Sequence, residues 1–321
     1  PLRDGSRLEI PQGVTVMVDS GAVIKLRRAY IEAGSHRLTE NRSQGVLQVL
    51  GKPVLVDDAG TVRRDALGNA LSGRVYFTSL LDDSFGGDSV PGLATTPGAG
   101  DWGGLVFRRD LDQAAGRTDW EDTGIFLNNV SQADIRYGGG SVIVDTIPQV
   151  VTPIHAVDSR PTVTFSSITS SADAAITATP NSFEETNFHA PRFQSVPFTS
   201  DYTRVGPVMY GNRLEDNSIN GLLVRLRTPA GDDLEGLTVS GRWDDTEVVH
   251  VLAENLRIKG SPGGPIQNAS VAVPDARLVT LALEPDGGVP EGVQSYRLTF
   301  VDAAGNESPA STPTDSIVVQ P

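Results

Sequence analysis

Short apolar and alternating runs recur along the chain: Val14–Val18 (VTVMV), Ala22–Leu26 (AVIKL), Val46–Leu50, Val75–Thr78, Leu105–Phe107, Ile125–Leu127, Ser141–Val144 and Thr162–Phe165. The series continues through Gly221–Leu226 (GLLVRL), Leu237–Val239, Val248–Leu252 and Leu256–Ile258. The runs are short, rich in β-branched residues and separated by Gly, Asp, Asn and Pro, which predicts strands and turns rather than helices. A sandwich would place tight Asn-Gly hairpins between its strands. Here the turn signals are irregular and long, and similar phrases return at very roughly 20–30 residues, the period of coils that cover one another's open edges. The pattern therefore predicts an all-β chain built as a right-handed parallel β-helix, a solenoid.

Two phrases sharpen that expectation. Val130–Gly140 (VSQADIRYGGG) sets an apolar strand ahead of a glycine-rich corner. Asn212–Val224 (NRLEDNSINGLLV) spaces Asn212, Asn217 and Asn220 around Leu214 and Ile219, so that an inward Asn at a corner could bond the backbone and stack on the next coil. About ten coils at the ~4.8 Å sheet spacing would make a rod of about 50 Å. Two stretches interrupt the pattern: the polar Asp57–Ser72, read as a protruding loop, and Ala178–Arg204, with three prolines and four phenylalanines, read as folding over one face. From about Ser270 the phrasing changes to Ala276–Leu283, a turn at Glu284–Gly292, Tyr296–Val301 and Ser316–Val319, which predicts a short antiparallel β-rich segment. The expected division is residues 1–268 for the β-helix and 269–321 for the tail.

Composition narrows the chemistry. Aromatic residues make up 6% of the chain, so the core must be mainly aliphatic. A net charge of −14 argues against nucleic-acid partners, which need clustered Lys and Arg, and is compatible with calcium, which prefers carboxylates and carbonyls. With no cysteine, disulfides, thiolate metal sites and a Cys nucleophile are excluded. No apolar run is long enough to span a bilayer. The chain opens at Pro1 with no signal-peptide pattern, as expected of a mature or excised fragment.

Several longer phrases carry a resemblance: Gly13–Leu26 (GVTVMVDSGAVIKL), Val75–Ser89 (VYFTSLLDDSFGGDS), Gly100–Phe107 (GDWGGLVF), Ala133–Gly140 (ADIRYGGG), Ser182–Phe193 (SFEETNFHAPRF) and Val249–Leu256 (VHVLAENL). From Leu8 to Pro265 the chain resembles the right-handed β-helix domains of large bacterial surface proteins, notably those of planctomycetes, in the pectin-lyase-like superfamily. The resemblance implies a secreted or cell-surface location. Tyr296–Asn306 (YRLTFVDAAGN) separately resembles the last strands of immunoglobulin-like or fibronectin-like modules.

The candidate chemistry is local. Asp82, Asp83 and Asp88, with Asp101 downstream and glycines between, suit an oxygen cage for Ca2+, the one cofactor expected; a solvated acidic turn is the plainer alternative. Trp102, in GDWGG, could stack a sugar or pack beneath its loop while the glycines permit close strand approach. Asp244, Asp245 and His250 superficially resemble polygalacturonase elements, yet the Asn-Thr-Asp and Gly-His-Gly phrases are missing, and in an alternating strand His250 shares a face with Val248 and Leu252, as a core or corner histidine would. Arg225 and Arg227 beside Asp232 and Asp233 offer a lyase-like set or merely surface ion pairs. His155 and His189 are isolated.

No converging catalytic set emerges. The leading expectation is a non-enzymatic structural or adhesive module with calcium-stabilised corners, whose partners are neighbouring domains of the same polypeptide or other surface proteins. A polysaccharide lyase or glycoside hydrolase acting on acidic glycans, and a carbohydrate-binding module, stand as alternatives.

Overall fold

The structure, a computed structural model, describes residues 7–92, 95–144, 147–188, 202–226, 236–239, 241–243, 245–258, 274–282, 292–301, 308 and 310–319. It divides into two compact units, Pro1–Ile258 and Lys259–Pro321.

In the first unit the short runs become strands of three parallel sheets. Sheet A holds Arg7–Glu9, Tyr30–Ala33, Leu105–Arg108, Ile154–Val157, Ala174–Ala178, Ile219–Val224 and His250–Val251. Sheet B holds Thr15–Asp19, Val46–Leu50, Asn129–Ser131, Thr162–Thr164 and Val208–Tyr210. Sheet C holds Val23–Leu26, Val75–Ser79, Ala133–Arg136, Ser167–Thr169 and Arg213–Glu215. Among the described residues five windings each give one strand to A, B and C in that order, after which Ile219–Val224 and His250–Val251 extend sheet A alone. The windings are fewer than the ten expected, because inserted segments take up much of the chain.

Alternation explains the register. In sheet A, Ile31, Leu105, Ile154, Ile176 and Leu222 stand opposite one another in successive strands. Sheet B aligns Val18, Val49, Val130, Val163 and Met209, and sheet C aligns Ile24, Phe77, Ile135, Ile168 and Leu214. All three columns meet in one apolar cluster. Each such side chain contributes roughly 1.5–3 kcal/mol on full burial, whereas a one-residue slip would turn a whole strand's apolar set outward. Aliphatic columns thus specify the pairing without help from many aromatics.

Corners are made by residues in the left-handed region: Gln132 (φ 52°) and Phe165 (φ 50°) between sheets B and C, and Tyr137 (60°), Ser170 (56°) and Asp216 (53°) after sheet C. Polar side chains then fasten one winding to the previous one. Ser166 Oγ accepts from the backbone N–H of Ala133 at 3.1 Å. One winding on, Asn212 does the same for Ser166. Asn217 Oδ1 accepts from Ser171 N at 3.0 Å, and its amide donates to the Ile168 carbonyl at 2.9 Å. Asn220 is exposed and bonds Asn217 instead.

The insertions differ from expectation in detail. The presumed loop at Asp57–Ser72 is an antiparallel ladder: Lys52–Val54 pairs with Ser72–Gly73, with bridges at Val56–Val62 and Arg64–Ala70. Its two turns repeat one chemistry, Asp57 and Asp65 each accepting two backbone N–H groups ahead of Gly60 and Gly68. Residues 109–128 carry a short helix, Asp110–Ala114, and leave Ile125–Leu127 outside any strand. Ser141–Val144 pairs with Ile147–Val150 as a hairpin. Within Ala178–Arg204, Glu185–Phe188 pairs antiparallel with Tyr202–Val205; residues 189–201 lie outside the described set.

In the second unit Gly292–Gln294 and Ile317–Val319 pair antiparallel. The predicted strand at Ala276–Leu283 is instead a 3-10 turn at Ala276–Leu278, capped by Asp275. Tyr296, Leu298 and Phe300 donate their N–H groups to the hydroxyls of Thr314, Ser311 and Ser308 at 3.0, 3.0 and 2.9 Å. The backbone N–H groups of the same Ser and Thr residues donate back to the three carbonyls. Three residues of one segment therefore match two of the other, with Ser or Thr at every third position replacing an ordinary ladder.

Candidate functional site

The acidic stretch leaves sheet C at Ser79. Leu81 N donates to Ser79 Oγ at 3.0 Å, and Asp82 N to the Ser79 carbonyl at 3.1 Å, which turns the chain and tucks Asp82 inside at 2% exposure. Asp82 Oδ2 accepts from Thr78 Oγ1 at 2.6 Å, while Oδ1 accepts from the Ser84 backbone at 3.0 Å and from its hydroxyl. Burial pushes this carboxyl upward, but those hydrogen bonds outweigh it and hold the acid below the usual range. Asp83 accepts from the Thr95 hydroxyl and lies 4.0 Å from Lys25 Nζ, which itself donates to the Gly87 carbonyl at 2.5 Å. Asp88 caps Val90 N at 2.8 Å. Asp101 Oδ2 accepts from Ser79 Oγ at 2.6 Å and Gly98 N at 2.9 Å.

Each of the four carboxylates therefore has its own protein donors. Among the described residues no group of three or more His, Asp or Glu is disposed to hold a metal ion. Asp82 uses both carboxylate oxygens on protein donors, whereas Asp83, Asp88 and Asp101 each use one.

Trp102 is a correction to the sugar-stacking expectation. Its indole is fully buried, 6.4 Å from the Phe77 ring, and Nε1 donates to the Arg136 carbonyl at 2.7 Å. No face remains on which a saccharide could lie. The neighbouring glycines have the role the strand approach requires: a Cβ at Gly104 would come within 1.7 Å of the Thr152 carbonyl oxygen.

Of the hydrolase-like residues, Asp245 and His250 are described. Asp245 accepts from Met209 N at 3.3 Å, closing a corner of sheet B. His250 stands opposite Leu222, at the end of the inward column of sheet A, and its ring lies 5.7 Å from and nearly parallel to that of Trp243. Its side chain is half-buried there. Arg225 pairs with Asp173 at 2.6 Å, and His155 Nδ1 lies 2.6 Å from Thr177 Oγ1. Asp244, Arg227, Asp232, Asp233 and His189 lie outside the described residues.

Two buried charge networks were not anticipated. Glu32, 1% exposed, faces Arg108, which also binds Asp110 through two nitrogens at 2.9 and 2.8 Å. Nearby, Asp112 accepts from Ser35 N, Ser35 Oγ and Arg117, tying the helix to the loop after Tyr30–Ala33. Burial, and the Glu32 charge beside it, push the Tyr30 phenol upward. In the second network Glu121 accepts from Arg109 and from Arg160 Nε, both at 3.2 Å, as well as from Ser159 Oγ and Arg160 N. Glu184 adds a second carboxylate to the two arginines. Adjacent Asp119 is raised to about 6, chiefly by burial and partly by Glu121, against the opposing hydrogen bond from Trp120 N. The run Arg108-Arg109-Asp110-Leu111-Asp112 was the available signal: four charges at the end of a core strand need buried partners. These networks clamp inserted loops to the sheets. Comparison with protein-family models, curated proteins and solved structures finds no match for the chain.

Proposed function

We propose that the first unit is a right-handed parallel β-helix serving as a non-enzymatic structural or adhesive module of an exported bacterial surface protein, where it spaces or presents neighbouring domains. The observation that carries this reading is the internal use of the candidate chemistry. Asp82, Asp101 and Asp245 accept protein hydrogen bonds, Trp102 is buried, and His250 closes an apolar column. The ordered circuit through three sheets supports the solenoid part, since each winding covers the edge of the one before. The tail is read as part of an immunoglobulin-like or fibronectin-like module; the reciprocal bonding of Tyr296–Phe300 with Ser308–Thr314 is the observation in its favour.

Incubation with uronate-containing and neutral glycans, followed by absorbance of unsaturated products and by reducing ends, should show no turnover. Turnover abolished by Asp245→Ala would overturn the scaffold reading in favour of a hydrolase.

A further inference from the structure

Asn220 is followed by Gly221, and no other asparagine of the chain precedes a glycine. Packing requires that glycine, because a Cβ at Gly221 would come within 2.6 Å of the Val249 carbonyl oxygen. The pair sits where the strand Ile219–Val224 departs from its regular ladder. Ile219 stands opposite Ala174 and Leu222 opposite Ile176, so Asn220 and Gly221 together face Ala175 in a bulge. A bulge interrupts the ladder and leaves its extra residue out of regular pairing.

The surroundings of its side-chain carbonyl single Asn220 out. Oδ1 accepts from the Asn217 backbone N–H at 3.0 Å and from Asn217 Nδ2 at 2.9 Å. Those donors are themselves fixed. Asn217 Nδ2 gives its other hydrogen to the Ile168 carbonyl at 2.9 Å, and Asn217 Oδ1 accepts from Ser171 N at 3.0 Å. Ser218 N donates to the Ser171 carbonyl at 3.1 Å. Two preorganised N–H groups on one carbonyl oxygen stabilise the oxyanion that forms when a nucleophile adds to the carbonyl carbon. Among the described residues no acceptor engages Asn220 Nδ2, and the side chain is exposed to water. Asn212 and Asn217 differ: each accepts one backbone N–H at Oδ1 and commits Nδ2 to a carbonyl of the previous winding.

We propose that Asn220 is a self-modification site, where the folded chain promotes closure of the side chain onto the Gly221 nitrogen. The Gly221 amide nitrogen, its proton lost to solvent, attacks Asn220 Cγ, and negative charge gathers on Oδ1 between the two Asn217 donors. A bond forms between Cγ and the Gly221 nitrogen, the Cγ–Nδ2 bond breaks, and ammonia leaves with a proton taken from water. Water, the co-reactant, then opens the succinimide ring at either carbonyl to give aspartate or isoaspartate. Either product adds a negative charge. Isoaspartate also lengthens the main chain by one methylene just ahead of Leu222, Leu223 and Val224, which pair with Ile176, Thr177 and Ala178. The inference stands on this corner's geometry and is independent of the scaffold reading.

Incubation of the whole folded chain, followed by peptide mapping with tandem mass spectrometry, tests it. A gain of about 1 Da is expected on Asn220 and not on Asn212 or Asn217, with ammonia released. Conversion should run faster at about pH 9 than at about pH 7.5, because the attacking nitrogen must be deprotonated. The folded chain should convert at least as fast as the same chain unfolded in urea. Asn217→Ala deletes one donor and keeps the backbone one, so it should slow conversion roughly tenfold. A corner merely loosened by that substitution would convert faster, so the sign of the change separates the two roles. Asn220→Gln, too long to form the same ring, should stay unmodified. Conversion slower in the folded chain than in urea, or not slowed in Asn217→Ala, overturns the proposal, as does a mass gain at this position in Asn220→Gln.

Discussion

Asn212 reaches back one winding to Ser166, accepting its backbone N–H at 2.9 Å while donating to the Val163 carbonyl at 2.7 Å. One side chain thus satisfies both a donor and an acceptor that the B-to-C corner leaves out of the ladders. Asn212→Ala should cost about 2 kcal/mol, seen as a lower urea midpoint, because both groups lose their partner. Asn220→Ala, at an exposed position, should stay within about 0.5 kcal/mol. Equal effects from the two variants would refute the clamp.

Glu121 is the shared acceptor of Arg109 and Arg160, which are 3% and 2% exposed. Removing it takes away the acceptor these two buried cations share, with Asp122 and Glu184 left beside them. Glu121→Ala should therefore destabilise by about 3–5 kcal/mol. Truncation of the exposed partner pair Arg213–Glu215 should be nearly silent. Thermal unfolding of both variants checks the contrast.

Much of the first unit was legible in the chain because its signal is local. Alternation at Val46–Leu50 or Val75–Ser79 declares an inward face, and Asn212 and Asn217 fall where corners need donors and acceptors. What could not be read is side-chain partnership. Asp82 looks like a solvated turn until Thr78 and Ser84 enclose it, and nothing near Glu121 announces Arg160, 39 residues away. Tyr296–Val301 reads as a strand, yet its neighbour answers with hydroxyls at every third residue, a pairing no period-two pattern encodes.

Close approach gives a sharper test than any polar contact. At Gly104 an added methyl would meet the Thr152 carbonyl oxygen, which is backbone and cannot swing aside. Gly104→Ala should cost about 3 kcal/mol or more, or abolish folding. Gly98→Ala, whose nearest neighbour would be Asp101 Oδ1 at an ordinary 3.6 Å, should fold normally. A parent-like melt for Gly104→Ala would contradict the packing described.

The acidic corner makes a prediction about calcium. Because Asp82, Asp83, Asp88 and Asp101 accept from separate protein donors, millimolar calcium or EDTA should leave the melting temperature unchanged. A rise of more than about 4 °C with calcium, equivalent to roughly 1–2 kcal/mol in a chain of this size, would restore a cage that rearranges to bind.

Asp119 should give the first unit a pH-dependent stability of unusual sign. Its folded value of about 6 lies above the ordinary 3.8, chiefly because burial disfavours the charge. Between those values the folded chain holds a proton that the unfolded chain releases, so this group's contribution is fully present below about pH 4 and is lost as pH rises through about 6. Asp119→Asn keeps an oxygen to accept from Trp120 N but removes the charge. The variant should therefore gain on the order of 2 kcal/mol over the parent at pH 7.5, with the difference closing toward pH 4. Urea midpoints of parent and variant at the two pH values cancel the other carboxylates. A constant gap would mean that Asp119 is solvated in the folded chain.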